Sequence, residues 1–251
     1  MCGRYTVTAS PETIRALFRY VEQPGFPPRY NVAPTQPIPV VRLIDAERHF
    51  ALMRWGLLPS WVKDPKTFSL LINARGESVN AKPAFRNAMK RRRCLIPANG
   101  FYEWQALPGR KQPFYIKTKS GEPIAFAGLW ETWIGPNGEE LDTAAIVTTR
   151  TNRALSPIHD RMPVVIPPDA FDLWLNCRDV DEMTASALIA PAQEDLFEAY
   201  PVSTAVNRTA NDNPKLIEPF AAPAAEREPK PTAAKPRPKR VKSDGGQGVL
   251  F

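Results

Sequence analysis

The sequence lacks a run of about 18 apolar residues, the length that a membrane-spanning helix needs, so an integral membrane protein is not expected. Its 251 residues include three cysteines and two histidines. Cys2, Cys94 and Cys177 are odd in number and far apart, which argues against a disulfide framework and favours a reducing cytoplasm. No signal-peptide pattern follows Met1. Two histidines without a Cys-x-x-C pair predict no zinc site, and we expect no cofactor.

The remaining composition indicates one globular domain followed by a basic tail. Hydrophobic residues make up 43% of the chain, and 28 prolines favour short strands and loops over long helices. The formal net charge is +7. Residues 220–251 alternate Ala, Pro, Lys and Arg and hold seven basic against three acidic residues, a pattern typical of disorder. The predicted boundaries are therefore a folded domain over 1–219 and a disordered tail over 220–251.

Short apolar runs predict strands, and segments with proline or serine starts predict helices. The expected strands cover 38–43, 49–55, 114–118, 123–130, 143–148 and 162–166. The expected helices cover 11–20, 83–91, 168–176 and 181–188, with Ser10 as the cap of the first. Strands and helices interleave without a regular βαβ period. We therefore predict a single α+β domain with a curved, largely antiparallel, barrel-like sheet and peripheral helices.

Cys2 is the most informative candidate for chemistry. A small second residue permits removal of the initiator methionine, which would leave a free amine beside the Cys2 thiol. Both groups are partly deprotonated near neutral pH. The amine can condense with an aldehyde and the thiol can then close a thiazolidine ring, or the pair can act as an N-terminal nucleophile on an acyl group. Taken alone, Cys2 is better explained as an ordinary second residue.

Three further polar residues are embedded in apolar or aromatic sequence: Asn73 in INARGE, Glu103 in GFYEW and His159 in IHDRMP. A carboxylate between two aromatic residues is expected to be desolvated, which raises its pKa and suits general acid–base catalysis. A histidine can transfer a proton near pH 7. A glutamate bonded to backbone at the core edge and a structural histidine are the competing interpretations of each residue alone.

Arginine follows three of these residues at a spacing of two. The pairs are Cys2 with Arg4, Asn73 with Arg75, and His159 with Arg161. Residues i and i+2 of an extended chain share a face, so each guanidinium would lie beside a candidate catalytic side chain and could bind phosphate. Four aromatic residues could stack on unpaired bases: Trp55, Trp61, Phe101 and Trp104. Chance explains any one pair, whereas three pairs favour a nucleic-acid site.

Seven segments occur in a characteristic order: CGRY at 2–5, RYNVAPT at 29–35, WGLLPSW at 55–61, NARGE at 73–77, RCLIPANGFYEW at 93–104, FAGLWE at 126–131 and HDRMP at 159–163. Together they resemble the SOS response-associated peptidase family, also called abasic-site processing proteins. The resemblance covers about 1–207 in the family's order. Gly76 departs from it, because a larger residue is expected there, and the chain beyond Phe220 lies outside the family domain.

The resemblance implies a protein that binds single-stranded DNA and traps the aldehyde of an abasic site as a thiazolidine on Cys2. By family likeness Asn73 orients the Cys2 amine or the sugar, and Glu103 acts as acid–base in ring opening and imine formation. His159 assists proton transfer, including reversal of the crosslink. Removal of Met1 by the protein itself, an AP-lyase-like activity, a monomeric state and association with the nucleoid are further expectations. The expected DNA contacts are Arg4, Asn31, Trp61, Arg75, Thr149 and Arg161.

The last five residues, 247–251, match the Gln-x-x-Leu-Phe pattern that bacterial sliding-clamp ligands resemble. Leu250 and Phe251 would fill an apolar pocket, and Gln247 would bond at its rim. The same pattern occurs at 193–197, where its Leu and Phe are expected to pack in the core. A clamp-docking tail and a chance match are therefore both open.

Two other functions would use the same residues. A cysteine peptidase or N-terminal-nucleophile hydrolase would use Cys2 and Glu103 on peptide substrates and would turn over, whereas a crosslinking protein stalls on its substrate. A DNA-binding module without chemistry would keep all its function in Cys2→Ala. The basic charge and the flanking arginines favour nucleic acid over peptide.

Overall fold

Two β-sheets carry most of the chain between residues 2 and 220, which are the residues that the computed structural model describes. The strands are β1 (Tyr5–Val7), β2 (Arg29–Val32), β3 (Pro37–Ile44), β4 (Glu47–Trp55), β5 (Asn73–Arg75), β6 (Arg93–Ala98), β7 (Gly100–Leu107), β8 (Arg110–Thr118), β9 (Ile124–Ile134), β10 (Glu140–Arg150), β11 (Arg161–Pro163), β12 (Val165–Ile166) and β13 (Phe197–Pro201). The helices are α1 (Pro11–Phe18), α2 (Arg86–Arg91), α3 (Phe171–Leu175) and α4 (Glu182–Ser186).

The larger sheet closes on itself. Its order is β11-β10-β4-β3-β6-β9-β12, and β9 also pairs with β10, so β9, β10, β4, β3 and β6 form a barrel-like ring. Strand β10 pairs in parallel with β4 and β5, and the other pairings are antiparallel. The predicted α+β fold with a curved, largely antiparallel sheet is confirmed.

The helices lie where the sequence places them but are shorter. The Ser10 hydroxyl accepts a hydrogen bond from the Thr13 amide at 3.2 Å and starts α1. The helix ends at Arg19, which takes the left-handed conformation at φ 56°. Ile14 and Phe18 are its buried residues. None of the helices among residues 2–220 has the length and apolar content of a membrane span.

The smaller sheet has the order β13-β8-β7-β1-β2 and carries the candidate site. Its buried tyrosines Tyr102 and Tyr115 form a small cluster with Val202, Val206 and Leu216. These last three belong to residues 202–217, which we call the strap. The strap follows β13 and contains the 3-10 turns Thr204–Asn207 and Pro214–Ile217. Burial of its apolar residues holds the strap on the sheet.

The predicted boundary between domain and tail at residue 219 stays a prediction. Residues 221–251 lie outside the described residues, and with them Gln247, Leu250 and Phe251 of the clamp hypothesis. The second copy of that pattern behaves as expected, because Phe197 is buried and Leu196 packs against the core.

Candidate functional site

The pairing of β1 with β7 brings Cys2 near Glu103, whose charge acts on the Cys2 thiol. Tyr5 lies opposite Phe101, and the Arg4 carbonyl accepts a hydrogen bond from the Tyr102 amide at 3.0 Å. Because the two chains run antiparallel, residues before Tyr5 pass residues after Phe101. Cys2 is buried, and burial together with the Glu103 charge raises the pKa of its thiol well above the ordinary value. The thiol is therefore protonated near neutral pH.

Asn73 reaches the same point from the other sheet. Strand β5 pairs in parallel with β10, with Asn73 opposite Ile146. The Asn73 Nδ2 donates a hydrogen bond to the Cys2 carbonyl oxygen at 2.9 Å. Its Oδ1 is buried and accepts no hydrogen bond from any group in residues 2–220. Asn73 thus holds the Cys2 peptide in place and keeps one acceptor for a donor that binds beside it.

Glu103 and His159 form an acid–base pair. The Oε2 of Glu103 lies 3.7 Å from the Nε2 of His159. The Nδ1 of His159 accepts a hydrogen bond from the Arg161 amide at 3.0 Å and also lies 3.0 Å from the Asp160 Oδ1. Burial raises the pKa of Glu103 to about 7 and lowers the pKa of His159. A carboxyl group with a pKa near neutrality can both donate and accept a proton in one reaction cycle.

A pocket of about 470 Å³ opens at this pair. It is lined by Glu103, Trp104, Lys111, His159 and Asn207. No sequence motif predicted Lys111 or Asn207. Lys111 comes from β8, the hairpin partner of the strand that carries Glu103, and Asn207 comes from the strap. Lys111 follows the Glu103 segment closely but belongs to none of the matched motifs, and Asn207 is 103 residues from Trp104.

Arg4 and Asn31, predicted to contact DNA, bind the strap. The Arg4 guanidinium donates to the Val206 carbonyl at 2.8 Å, to the Asn207 carbonyl at 3.3 Å and to the Asn31 Oδ1 at 2.9 Å. Asn31 is fully buried, and its Nδ2 donates to three strap carbonyls. The Asp212 carboxylate accepts from the Asn31 amide at 3.1 Å. As DNA contacts both residues stay predictions, and a phosphate would compete with these protein acceptors.

The three arginines differ in what they have left to bind. Arg161 donates from Nη1 and Nη2 to the two Glu77 carboxylate oxygens at 2.6 and 3.0 Å, and from Nη2 to the Thr148 carbonyl at 2.8 Å. Arg75 is exposed, and its guanidinium makes no hydrogen bond or ion pair within residues 2–220. Of the predicted phosphate ligands, Arg75 therefore has the most donors available.

The aromatic residues divide into core and surface. Trp55 and Phe101 are fully buried, so the expectation that they stack on bases is wrong: both point into the core. Trp61 is 56% exposed and packs edge-on against Phe68, with ring centroids 5.6 Å apart. Trp104 is half-buried, and its Nε1 donates to the Asn207 Oδ1 at 2.8 Å. Of the four aromatic residues, Trp61 and Trp104 therefore remain available to stack on bases.

Two further details concern predicted positions. Thr149, the remaining expected DNA contact, is buried on β10 opposite Met162. A Cβ added at Gly76 would lie 2.2 Å from the Ile189 Cγ2, so Ile189 fills the space that a larger residue would need there. Residues 2–220 contain no group of three His, Cys, Asp or Glu side chains that could hold a metal ion.

Comparison with known proteins decides the family. A family model described as SOS response associated peptidase matches residues 1–209. The chain belongs to this family, as its sequence motifs predicted. It is 41% identical over 222 residues to the abasic site processing protein YoqW of Bacillus subtilis, which covers 87% of this chain and 99% of that protein. It is 31% identical over 262 residues to the abasic site processing protein HMCES of Xenopus tropicalis, covering 86% of this chain and 78% of that protein.

Solved structures share the fold. A phage-related protein from Bordetella bronchiseptica is similar with a TM-score of 0.64 at 33% identity, covering 80% of this chain and 94% of that one. A protein from Bacteroides thetaiotaomicron has a TM-score of 0.79 at 24% identity, covering 88% of this chain and 100% of that one, and supports the fold alone.

Proposed function

We propose that this family member processes abasic sites in single-stranded DNA by capturing them covalently on Cys2. Its relatives named abasic site processing proteins support the substrate class. The observation that carries the proposal is the buried Glu103, with a pKa of about 7, 3.7 Å from His159 and near Cys2. Condensation of an amine with an aldehyde needs a group that gives and takes protons near neutral pH, and Glu103 fits that need.

The proposed chemistry has two bond-forming steps. The Cys2 amine attacks C1′ of the ring-opened deoxyribose, and loss of one water gives an imine. The Cys2 sulfur then bonds to the same carbon, and the thiol proton moves to the nitrogen, which closes a thiazolidine. Glu103 protonates the leaving hydroxyl and His159 assists the transfer, also in reversal. Asn73, through its bond to the Cys2 carbonyl, orients the amine.

Capture requires that Met1 be removed, because an amide nitrogen does not condense with aldehydes. We propose that the protein hydrolyses the Met1–Cys2 bond itself, as its family description as a peptidase suggests. The reaction adds one water across the bond and leaves the Cys2 amine free. Glu103 can activate that water, and Asn73 holds the residue that follows the cleaved bond.

DNA contacts follow from exposure. We propose that Arg75 binds a phosphate and that Trp61 stacks on a base, because both side chains are exposed beside or near the site segments. The other expected DNA contacts are partly or fully buried and support the site through contacts within the protein. We propose that they touch DNA only through the part of each side chain that stays exposed. They are Arg4, Asn31, Thr149 and Arg161.

Intact mass spectrometry tests the capture. The protein is incubated with a single-stranded oligonucleotide that holds one abasic site, beside an unmodified oligonucleotide. We expect a species with the mass of the protein without Met1 plus the oligonucleotide minus one water. It forms with Cys177→Ala, the matched control, and is absent with Cys2→Ala. Survival without a reductant distinguishes thiazolidine from imine, and strand scission in the same samples reports lyase-like activity.

The opposite outcome is equally clear. If Met1 is gone and no adduct forms, the capture proposal fails, and a cysteine peptidase acting on peptide substrates becomes the better explanation of Cys2 and Glu103. Turnover of peptides with release of product would then be expected instead of a stalled complex.

We also propose that the C-terminal residues Gln247, Leu250 and Phe251 dock on the sliding clamp and bring a monomeric protein to replicating DNA in the nucleoid. Support comes from the Gln-x-x-Leu-Phe pattern alone. A pull-down with purified clamp is expected to retain the full chain and to lose a variant without residues 247–251. Equal retention of both would refute it.

A further inference from the structure

One side of the pocket beside Glu103 carries a basic residue, Lys111, and an amide, Asn207, which we call the wall. Neither the family motifs nor the arginine spacing indicated them. Lys111 and Asn207 line the pocket together with Glu103, Trp104 and His159. Lys111 is exposed, and it makes no ion pair with any carboxylate in residues 2–220. An unpaired ammonium at the mouth of a pocket is free to bind an anion.

Asn207 presents a donor to the same space. Trp104 Nε1 can only donate, so the Asn207 oxygen must be the atom that faces it at 2.8 Å. The amide group is thereby oriented with its Nδ2 away from Trp104. The Arg4 guanidinium holds the Asn207 carbonyl at 3.3 Å, which keeps the residue from turning. Within residues 2–220 the Nδ2 makes no hydrogen bond, so both of its protons are available.

The guanidinium groups nearest the catalytic residues are already engaged. Arg4 donates to the strap and to Asn31, and Arg161 donates to Glu77 and to the Thr148 carbonyl. A phosphate that bound either guanidinium would first have to displace these carboxylate or carbonyl acceptors, so the hydrogen bonds lost would offset those formed. The anion that enters this pocket therefore meets Lys111 and Asn207 first. Lys111 and His159 line the same pocket.

We propose that Lys111 and Asn207 bind one DNA phosphate flanking the abasic site and thereby place the deoxyribose against Glu103. The inference rests on the proposed function, because it names the part of the DNA that this wall of the site receives. Lys111 supplies the charge, and the Asn207 Nδ2 supplies a directed hydrogen bond. Arg75 on β5 is the other phosphate contact that we propose.

The test uses single-stranded DNA with a tetrahydrofuran at the lesion position, which has no aldehyde and binds without a covalent bond. Affinity is measured over a series of salt concentrations. One phosphate contact accounts for a slope of about −0.7 in log affinity against log salt for single strands. We expect Lys111→Ala to make the slope less steep by about 0.7 and Lys111→Arg to restore it. Lys119→Ala, an exposed lysine just beyond the same strand, is the matched control and leaves the slope unchanged.

A second variant separates the two residues. Asn207→Asp keeps the oxygen that accepts from Trp104 but replaces the amide donor by a carboxylate, so affinity is expected to fall while the melting temperature is kept. A panel of oligonucleotides with one methylphosphonate each then locates the contact. At one flanking position wild type and Lys111→Ala are expected to bind equally, because the neutral linkage has no charge for Lys111 to meet.

The outcomes distinguish this inference from the proposed function. Equal salt slopes for wild type and Lys111→Ala, with capture of authentic abasic DNA intact, overturn the phosphate assignment alone. A wild-type protein that captures no abasic DNA refutes the proposed function, and the slope difference on the tetrahydrofuran DNA still decides whether the wall binds phosphate. If every methylphosphonate leaves the Lys111→Ala defect unchanged, the residue acts on no single phosphate and the inference is wrong.

Discussion

Glu103 Oε2 lies 3.7 Å from His159 Nε2, and burial shifts the pKa values of the two groups in opposite directions. The carboxyl pKa rises to about 7, and the imidazole pKa falls below its ordinary value. Each shift favours the uncharged form. The pair can therefore exchange a proton without carrying a net charge, and a neutral Glu103 does not repel the phosphates of an approaching strand.

Glu103→Gln is expected to stabilise the protein in a pH-dependent way. The pKa of Glu103 is raised from 4.5 to about 7 in the folded state, so the folded state binds more protons between these values. Its contribution to stability is therefore present below pH 4.5 and is lost as pH rises through 7. At pH 8 the substitution should raise the free energy of unfolding by up to about 3 kcal/mol.

Thermal melting at low and high pH measures this effect. The exposed Glu122→Gln is the control and is expected to change little at either pH. An equal gain for Glu103→Gln at both pH values would contradict the assignment of a buried, titrating carboxyl group.

A plot of the rate of adduct formation against pH should show a bend near pH 7 that is caused by the titration of Glu103. General acid–base catalysis by a group with a pKa of about 7 changes efficiency as that group titrates. Single-turnover rates with abasic DNA are measured for wild type and Glu103→Gln. The variant is expected to be slower and to lack the bend, and a bend of equal size in both would assign it to another group.

Asn73→Ala is expected to slow capture of abasic DNA while the protein stays folded. The substitution removes the hydrogen bond to the Cys2 carbonyl, a loss of about 1 kcal/mol in positioning and roughly a fivefold slower step. Asn87→Ala, on the exposed side of α2, is the matched control. Rates are compared on protein shown by mass to lack Met1, so that failure to expose the amine is not mistaken for slow capture. A wild-type rate for Asn73→Ala would exclude the positioning role.

Arg75→Ala should weaken DNA binding evenly across sequences. A phosphate contact carries no sequence information. Its loss makes the slope of log affinity against log salt less steep by about 0.7 for single strands. Arg75→Lys keeps the charge and is expected to keep the slope. Binding to three unrelated sequences over several salt concentrations measures both statements. An unchanged slope in Arg75→Ala would remove Arg75 from the phosphate contacts.

Trp61→Ala is expected to weaken binding without lowering the melting temperature. The indole is 56% exposed, so little buried area is lost, whereas stacking on a base is worth about 1–3 kcal/mol. Trp61→Phe should keep part of the affinity. Fluorescence anisotropy with tetrahydrofuran DNA and a melting curve separate the two effects, and a drop in stability that matches the drop in affinity would assign Trp61 to packing.

Local signals predicted the elements that contain them. Ser10 and Pro11 locate the start of α1, and the apolar alternation of 38–43 locates β3. Strand β7 escaped prediction because its first four residues are all buried, which hides the period-two pattern. Strand β5 is three residues long, too short for any periodicity.

The site was predictable where its residues sit in unusual surroundings and not where distant segments meet. The position of Glu103 between two aromatic residues predicted that its pKa is raised. Lys111 gave no such signal, because an exposed lysine in a hairpin resembles any other. The spacing of Arg161 from His159 could not show that Glu77 would hold its guanidinium, since that pair joins residues 84 positions apart.

The contacts between Arg4 and the strap bear on how the protein is made. Arg4 is synthesised some two hundred residues before its carbonyl partners Val206 and Asn207. Until the strap is made, the N-terminal segment has its contacts with β7 and Asn73 but lacks those that Arg4 makes with Val206 and Asn207. A chain truncated before the strap would therefore lack both carbonyl partners of Arg4, and any step that depends on this anchor could begin only after Val206 and Asn207 have been synthesised.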